Sequence, residues 1–312
     1  MIQKQKTLTI CIPTYNRKNL LIRLLENIEK NCSFYNQIEV LVVDDGSNDG
    51  TQNHIRKSLY NYSFELKYFK KENGGKLSAV MLGLEHSSGK YFMNMDSDDL
   101  FIPSGIDLII NTLALFEEKI KTMNQQEPIV GIVGLAYNTN NKIIGSYFPA
   151  DFFISNFVKI RADFHVRGDK KEIILTNILK KLKINFHNNE KRLPPSIIWL
   201  KLSSFSNVAF INTPFIIKSY MASGISKNNF LKTRVQSPNS SADVYREILE
   251  LNRYSSLLYR FKASINYWRF YFHGATKQNI LFKNCLYRYF HNSAIPLGFL
   301  YYLLDKIFLR LK

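Results

Sequence analysis

The sequence is poor in cysteine, with only Cys11, Cys32 and Cys285 among its 312 residues. Three cysteines cannot all pair, and their spacing matches no metal-binding pattern, so a disulfide framework is not expected and a reducing compartment fits. The six histidines also lack the spacing of metal ligands. The sequence therefore predicts neither a disulfide-rich secreted domain nor a Cys/His metal centre.

Long hydrophobic runs are also missing. No uninterrupted apolar stretch reaches the roughly 20 residues that cross a bilayer. The N-terminal MIQKQKTLTICIPTYN breaks its apolar run with a proline and polar residues, whereas a signal peptide needs a continuous apolar segment. We therefore expect a cytoplasmic protein that does not span the membrane.

Acidic residues are scarce relative to basic ones, 25 against 42, which gives a net charge of +17. A charge of this size predicts an anionic partner, and nucleic acid, anionic lipid and phosphorylated substrates all remain open. The hydrophobic share of 46% and the aromatic share of 14% are typical of a folded protein. The chain is long enough for one large domain or two modest ones.

Strand-like and helical patterns alternate through the first hundred residues. Strands are predicted at 7–13, 38–43, 64–69 and 91–95, and helices at 19–30, from about Thr51, and at 77–85. This alternation predicts a parallel sheet with helices on both faces. Polar clusters follow all four strands, and ligands bind at the carboxyl ends of such strands, so four loops are expected to converge on one edge.

The pattern is looser beyond residue 105. Helices are predicted at 106–119, 173–183 and 196–203, and strands at 129–137 and 143–148. After the helix-breaking run SPNSS, the chain is predicted to be wholly helical from about Ser240.

Three carboxylates crowd into the segment NMDSDDLF: Asp96, Asp98 and Asp99. Two like charges about 4 Å apart repel by up to roughly 4 kcal/mol near a protein surface, so the cluster predicts a cationic partner. An Asp-x-Asp pair such as Asp96 and Asp98 can hold Mg²⁺ or Mn²⁺ together with a diphosphate. The alternative is that these residues only cap a helix or form a turn.

Three further loops carry binding chemistry. The carboxylates of DDGSNDGT (44–51) can accept hydrogen bonds from a nucleobase or ribose, or can simply cap a turn. Tyr15 offers a ring for base stacking and Arg17 a phosphate partner, although Tyr15 could instead cover the sheet edge. The segment NGGK (73–76) suggests a phosphate-cradling turn but lacks the spacing of a Walker loop.

Taken together, IPTYNR, VVDDGSNDGT, ENGGK and MDSDD, in this order over residues 7–105, resemble the nucleotide-binding half of bacterial family 2 glycosyltransferases. The resemblance implies an α/β GT-A fold, a Rossmann-like nucleotide-binding mixed sheet flanked by helices. It also implies a nucleotide-diphospho-sugar donor, commonly a UDP-sugar, with Mn²⁺ or Mg²⁺, and an inverting transfer to an acceptor hydroxyl. By this resemblance the donor is held by Pro13, Tyr15, Arg17, Asp45, Lys76, Asp96 and Ser97. Pro13, Tyr15 and Asp45 would hold the base and Asp96 the ribose or sugar side, and the metal is assigned to Asp98 and Asp96.

The second half is similar to one branch of this family in three segments: GDKKEIILTNILKK (168–181), NEKRLPPSIIW (189–199) and FINTPFIIKSYMASGISKN (210–228). An inverting transfer needs a carboxylate that deprotonates the acceptor. Where related proteins carry a glutamate after a proline, this sequence has Pro195. Glu190 is our first choice for the catalytic base and Asp169 the second, the alternatives being an exposed charge and a loop or capping role. The predicted domains are thus a catalytic domain at 1–235, with donor half 1–105 and acceptor half 106–235, and a tail at 236–312.

The tail combines positive charge with aromatic residues: residues 246–312 contain eleven Lys or Arg and three acidic residues. This composition suits peripheral contact with an anionic membrane, here the inner face of the cell membrane. The acceptor would then be a lipid-linked sugar or a growing surface glycan such as capsule or O-antigen. The alternative is a helical subdomain packed on the catalytic core.

Other functions remain open at this point. A sugar-phosphate nucleotidyltransferase usually has a glycine-rich loop after the first strand, and IPTYNRK has no glycine. A degenerate GT-A scaffold, or a basic binding protein without transferase activity, would also fit the composition. We expect no nucleic-acid partner, and the sequence leaves the oligomeric state open.

Overall fold

The computed structural model describes residues 5–59, 61–124, 126–219, 230–251, 257–280 and 285–310. The chain forms two compact units. Unit 1 comprises Met1–Ser155, Val166–Leu182 and Ser206–Met221, and unit 2 comprises Asn156–His165, Lys183–Phe205 and Ala222–Lys312. The functional division that we placed at residue 235 stays a prediction.

The strands described belong to unit 1 and form one nine-stranded sheet. They are β1 (Leu8–Thr14), β2 (Ile38–Asp44), β3 (Glu65–Lys70), β4 (Tyr91–Asn94), β5 (Leu100–Phe101), β6 (Ile129–Asn138), β7 (Phe152–Ser155), β8 (Lys171–Leu175) and β9 (Asn207–Lys218). The order is β3-β2-β1-β4-β8-β6-β9-β5, and β7 pairs with β9. The first four strands are parallel, as predicted, whereas β8 runs antiparallel to both of its neighbours, so the sheet is mixed.

The helices described are α1 (Lys18–Lys30), α2 (Thr51–Ser58), α3 (Lys76–Glu85), α4 (Gly105–Lys121), α5 (Phe157–Ala162), α6 (Thr176–Lys180), α7 (Ser196–Ser203), α8 (Phe230–Val235), α9 (Pro238–Glu250), α10 (Leu257–Phe272), α11 (Cys285–Ser293) and α12 (Ile295–Arg310). A 3₁₀ turn at Tyr35–Gln37 precedes β2. The helices α5 and α7 to α12 belong to unit 2. Every helix described is too short or too polar to cross a membrane.

The core of unit 1 follows from apolar patterning. Every residue of β1 and β2 is buried, as expected for central parallel strands covered on both faces. Helix α1 buries Leu21, Leu24, Leu25 and Ile28, which recur at helical spacing along one face. This packing fixes the carboxyl ends of β1 and β2 side by side.

Two of our secondary-structure predictions are wrong. The helix predicted at 173–183 is a strand, β8, followed by the short helix α6, because Ile173 and Ile174 pair with Met93 and Phe92 of β4. Short apolar runs do not distinguish a buried strand from a helix. The strand predicted at 143–148 is reduced to a single bridge between Tyr137 and Ile143. The strands β5, β7 and β9 were not predicted by periodicity.

The helical tail predicted from about Ser240 is confirmed for most of its described residues, whereas residues 273–280 form a turn and an irregular connection. Helix α9 begins at Pro238, where the missing amide hydrogen of proline costs nothing, and α10, α11 and α12 follow. Residues 220–228 of the third family-like segment lie outside the described residues, as do Arg253, Lys283 and Lys312 of the basic tail.

Candidate functional site

The loops after β1, β2 and β4 meet at the carboxyl edge of the sheet. Thr14 lies beside Asp44 across β1 and β2, and Cys11 lies beside Asn94 across β1 and β4. Beyond these strand ends, Arg17 Nη1 donates a hydrogen bond to Asp98 Oδ2 at 2.8 Å. The predicted convergence of these loops is therefore confirmed.

The DDGSNDG loop is fixed largely by its own carboxylates. Asp44 Oδ1 accepts from Ser47 N at 2.7 Å, and Asp44 Oδ2 accepts from Tyr68 Oη at 2.6 Å. Asp49 Oδ2 accepts from Lys18 N, at the start of α1, at 2.9 Å. Burial opposes ionisation of Asp49, but its hydrogen bonds from Thr51 and Lys18 outweigh burial and lower its pKa. Asp44 and Asp49 thus have the local structural role that we considered as an alternative.

Asp45 holds the loop that precedes α3. Its Oδ1 accepts from Gly74 N and from Lys71 Nζ, both at 2.9 Å, and its Oδ2 accepts from Gly75 N at 2.8 Å. Gly75 has a φ of 90°, which a side chain would strain. A carboxylate has about four acceptor positions and three are used here. One position remains, and the predicted contact of Asp45 with a nucleobase stays a prediction.

Three carboxylates, two from the loop after β4 and one from the loop before β8, gather around lysine side chains. Lys218 Nζ lies 3.3 Å from Asp99 Oδ2, 3.4 Å from Asp169 Oδ2 and 3.7 Å from Asp96 Oδ2. Lys76 Nζ lies 2.5 Å from Asp96 Oδ1. Asp98, the fourth carboxylate, pairs with Arg17. The cationic partner that the crowded aspartates predict therefore exists within the chain.

Burial and ion pairing shift the pKa values of Asp96, Asp99 and Lys218 in different directions. Burial raises the pKa of Asp96, but Lys76, Lys218 and Lys171 outweigh burial and hold that pKa well below its usual range. At Asp99, burial dominates and raises the pKa to about 6, although Lys218 opposes the shift. Burial lowers the pKa of Lys218, yet Asp96, Asp99 and Asp169 raise it well above its usual value. Lys218 therefore stays protonated at neutral pH.

Sequence reasoning missed Lys171 and Lys218. Lys171 is buried at the start of β8, where Lys171 Nζ donates to the backbone oxygen of Asn94 at 2.5 Å. Lys218 ends β9, and its position beside three aspartates depends on sheet pairing across more than a hundred residues. The only local signal is a lysine next to an apolar run, at its end in FIIK of β9 and before it in GDKKEII of β8.

Asp96 and Asp98 are the candidate ligands of a divalent ion. Within the part of the chain described, no three His, Cys, Asp or Glu side chains form a metal site by themselves. An ion that carries a nucleotide diphosphate, however, takes one or two protein carboxylates and completes its shell with water and phosphate. Among the described contacts, the buried Asp96 Oδ1 has a lysine at ion-pair distance but accepts no hydrogen bond of normal geometry. Asp96 and Asp98 fit an ion of this kind.

The remaining predicted donor residues differ in accessibility. Pro13 is buried within β1, and Ser97 is buried between Asp96 and Asp98 in the chain, with 2% of its surface exposed. Tyr15 is 47% exposed, so its ring is available for stacking. Lys76 is exposed at the first position of α3. The structure thus places all the predicted donor residues in unit 1, and their roles stay predictions.

The two candidates for the catalytic base have different surroundings. Glu190, in unit 2, accepts hydrogen bonds from Asn239 N at 2.9 Å, Asn239 Nδ2 at 2.9 Å and Ser240 N at 2.7 Å. These amides belong to the first turn of α9, so Glu190 caps that helix. Asp169, in unit 1, is 53% exposed and lies beside Lys218 in the acidic cluster.

Comparison with known proteins agrees with the fold. Residues 9–124 match the model of the family described as Glycosyl transferase family 2. An uncharacterized glycosyltransferase of Rickettsia bellii is 30% identical over 174 residues, which is 56% of this chain and 22% of that protein. A second one, from Rickettsia typhi, is 35% identical over 111 residues, which is 36% of this chain and 33% of that protein. The chain therefore spans only about a fifth to a third of these relatives.

Solved structures resemble this one at the level of the fold. S. aureus TarS 1–349 in complex with UDP-GlcNAc superposes with a TM-score of 0.61 at 18% identity, covering 92% of this chain and 79% of the TarS 1–349 chain. The mannosyltransferase PcManGT from Pyrobaculum calidifontis, in complex with GDP-Man and Mn²⁺, gives a TM-score of 0.51 at 16% identity, covering 97% and 89%. Residues 9–124 of this chain thus match glycosyl transferase family 2, and the mixed sheet has the GT-A fold.

Proposed function

We propose that this protein is an inverting, metal-dependent glycosyltransferase that moves a sugar from a nucleotide-diphospho-sugar, UDP-linked, to an acceptor hydroxyl. The observation that carries the proposal is the meeting of the loops after β1 and β4 at the Arg17–Asp98 ion pair, beside the lysine-bound aspartates. Ligands bind at this edge of open α/β sheets. The family match and the nucleotide-sugar complexes of similar folds support the same activity.

The donor would lie along the carboxyl edge of β1, β2 and β4. Pro13, Tyr15 and Asp45 are assigned to the base, with the exposed ring of Tyr15 stacking on it. Asp96 and Ser97 are assigned to the ribose and sugar side. Arg17 and Lys76 are assigned to the phosphates, because guanidinium and ammonium groups bind phosphate oxygens through charge-assisted hydrogen bonds.

Asp98 and Asp96 would hold Mn²⁺ or Mg²⁺. When bound, such an ion supplies positive charge at the diphosphate, where negative charge accumulates as the sugar departs. Arg17, Lys76 and Lys218 lie within ion-pair distance of the same aspartates and add charge of the same sign. Fixed cations aimed at developing negative charge lower the barrier without reorganising in the reaction.

The acceptor hydroxyl must lose a proton as its oxygen attacks C1 from the face opposite the diphosphate. We favour Asp169 as the base over Glu190. Glu190 accepts hydrogen bonds from Asn239 and Ser240, so its carboxylate is held in place as the cap of α9. Asp169 is more than half exposed and belongs to the same unit as the donor residues.

The net charge of +17 and the basic aromatic tail suggest where the acceptor is. A protein attached to the anionic inner face of a bacterial membrane would meet lipid-linked sugars and growing surface glycans. We therefore propose a role in capsule, O-antigen or related surface glycan synthesis, with peripheral membrane contact.

A thermal-shift screen tests the activity at its first step. The protein is heated with UDP, UDP-sugars, GDP-mannose or UTP, each with and without Mn²⁺. A donor at about 100 times its Kd stabilises the native state by about 2.7 kcal/mol, so the correct donor raises the melting temperature, and more so with Mn²⁺. UDP release from the best donor then reports turnover. If no nucleotide sugar changed the melting temperature, the protein would be a GT-A scaffold that does not bind a donor, and the proposal would be refuted.

A further inference from the structure

Helix α12 presents apolar side chains to its surroundings. Eight of its large apolar residues are between 39% and 56% exposed, among them Leu300, Leu304 and Ile307. Large apolar residues on a water-facing helix are normally turned towards the core, and polar residues outward. A contiguous exposed apolar surface of this kind marks a site of contact with a membrane or another protein.

The side of α12 that faces α10 contains a buried ion pair and is closely packed. Asp305 is 3% exposed and accepts a hydrogen bond from Arg269 Nε of α10 at 2.6 Å, and it contacts His273 Nε2 at 2.9 Å. At Gly298, an added Cβ would lie 2.5 Å from Trp268 Cβ, so the backbone of α12 lies directly against α10. The buried ion pair and this close approach fix which side of α12 faces outward. The apolar exposure is thus built into the packing of α12 on α10.

The part of the sequence that contains this helix is strongly basic. Residues 251–312 contain ten Lys or Arg and a single acidic residue, Asp305, which is buried in its pairing with Arg269 and His273. Lys306 on α12 and Arg288 on α11 are exposed. A second copy of this chain would bring two such positive surfaces together, and Coulomb repulsion opposes that. An anionic lipid surface satisfies both the apolar and the cationic features.

We infer that α12 is the element that enters an anionic lipid surface, with its Asp305 side on α10 and its Leu300, Leu304 and Ile307 side among the acyl chains. Lys306 and Arg288 reach the phosphate head groups. The helix has 16 residues, about 24 Å at 1.5 Å per residue. Because its Asp305 side stays packed on α10, α12 lies parallel to the lipid surface. This inference rests on the membrane contact proposed above and is independent of sugar transfer.

Vesicle flotation of the full chain, without donor or acceptor, tests the inference. We expect wild-type protein to float with phosphatidylcholine vesicles that contain phosphatidylglycerol, weakly with phosphatidylcholine alone, and less at high salt. The double variant L300E/L304E should lose binding at least about tenfold, because it places charge in the apolar phase. The matched control is L115E/Y147E, which changes two residues of unit 1 that are 67% and 63% exposed, and its binding should match wild type.

Undiminished flotation of L300E/L304E, or an equal loss in both double variants, would overturn the inference. A second result would also overturn it: wild-type protein sediments as a dimer, L300E/L304E sediments as a monomer, and neither protein floats with vesicles. A second copy of the chain would then cover α12. If L300E/L304E fails to fold, R288E/K306E replaces it, and retained binding of that variant to anionic vesicles would be equally decisive. A nucleotide-dependent thermal shift retained by variants that no longer float separates this role from the proposed transfer.

Discussion

Arg17 and Asp98, 81 residues apart in the chain, form an ion pair with 2.8 Å between Arg17 Nη1 and Asp98 Oδ2. The pair joins the loop after β1 to the loop after β4, because these two strands are neighbours in the sheet. A divalent ion at Asp98 would compete with the guanidinium for the same carboxylate. We therefore expect Arg17 to turn to a donor phosphate when an ion is bound.

Replacing Asp98 by alanine should reduce UDP-sugar turnover by about 100-fold or more, because the metal position and its charge at the leaving group are lost. Release of UDP is the measurement, together with circular dichroism to show that the variant folds. Glu118→Ala, an exposed acidic residue on α4, is the control and should keep wild-type turnover. Full activity of Asp98→Ala would refute the metal role.

The two base candidates can be separated by isosteric amides. Asp169→Asn should lower kcat by about 10²–10⁴-fold while the donor still raises the melting temperature, because only proton transfer is lost. Glu190→Gln should lower the free energy of unfolding by about 1 kcal/mol with little change in kcat, because it weakens the capping of α9. Steady-state kinetics and urea unfolding provide the two readouts. The opposite pattern would restore Glu190 as the base.

Asp45→Ala should weaken UDP binding and lower stability by about 1–3 kcal/mol. The amides of Gly74 and Gly75 lose their acceptor, and the loop before α3 is released. Isothermal titration with UDP and urea unfolding measure the two effects. The exposed Glu72 of the same loop supplies the control, since Glu72→Ala leaves these hydrogen bonds in place. Equal behaviour of both variants would show that Asp45 does not hold the loop.

Glu39 provides a test of the core of unit 1. Its fully buried carboxylate accepts from Thr9 Oγ1 at 2.5 Å, Ser88 N at 2.6 Å and Lys67 Nζ at 2.9 Å. Burial raises its pKa, but these hydrogen bonds outweigh burial and the pKa is lowered.

Glu39→Ala should cost about 3–5 kcal/mol in the free energy of unfolding, since it leaves buried donors and a lysine without their acceptor. Glu65→Ala removes the other, more exposed partner of Lys67 and should cost less than about 1 kcal/mol. Urea unfolding of the two variants compares them directly. A small cost for Glu39→Ala would mean that water replaces the lost contacts.

His291 predicts a loss of stability in acid. Burial lowers its pKa from 6.5 to about 4, so between these values the unfolded chain binds a proton that the native protein does not. Above pH 6.5 the titration of His291 does not lower the free energy of unfolding. As the pH decreases from 6.5 towards 4, it lowers the free energy of unfolding by up to about 3 kcal/mol. The difference between the unfolding free energies of wild type and His291→Phe, followed from pH 7 to 4, isolates this contribution. A difference that does not vary with pH would contradict it.

Much of the donor half was predictable because its signals are local. Alternating strand and helix periods identified β1, α1, β2, β3, α3 and β4, and the polar loops after these strands had to share one edge of a parallel sheet. The ordered motifs then indicated the resemblance to family 2 glycosyltransferases that the match over residues 9–124 supports. The prediction failed at 173–183, where pairing with β4 makes the segment a strand that periodicity alone reads as a helix.

The α/β class, the loops that carry the candidate donor residues, the resemblance to family 2 glycosyltransferases and the positive charge could all be read from the sequence. Each of these depends on nearby residues or on composition. Tertiary structure decided what Lys218, Glu190 and Asp305 do. Lys218 faces Asp99 and Asp169, Glu190 caps α9, and Asp305 turns the apolar side of α12 outward. Each of these roles is set by a partner far away in the chain, because burial and pairing, and not residue type, determine how a charged side chain is used.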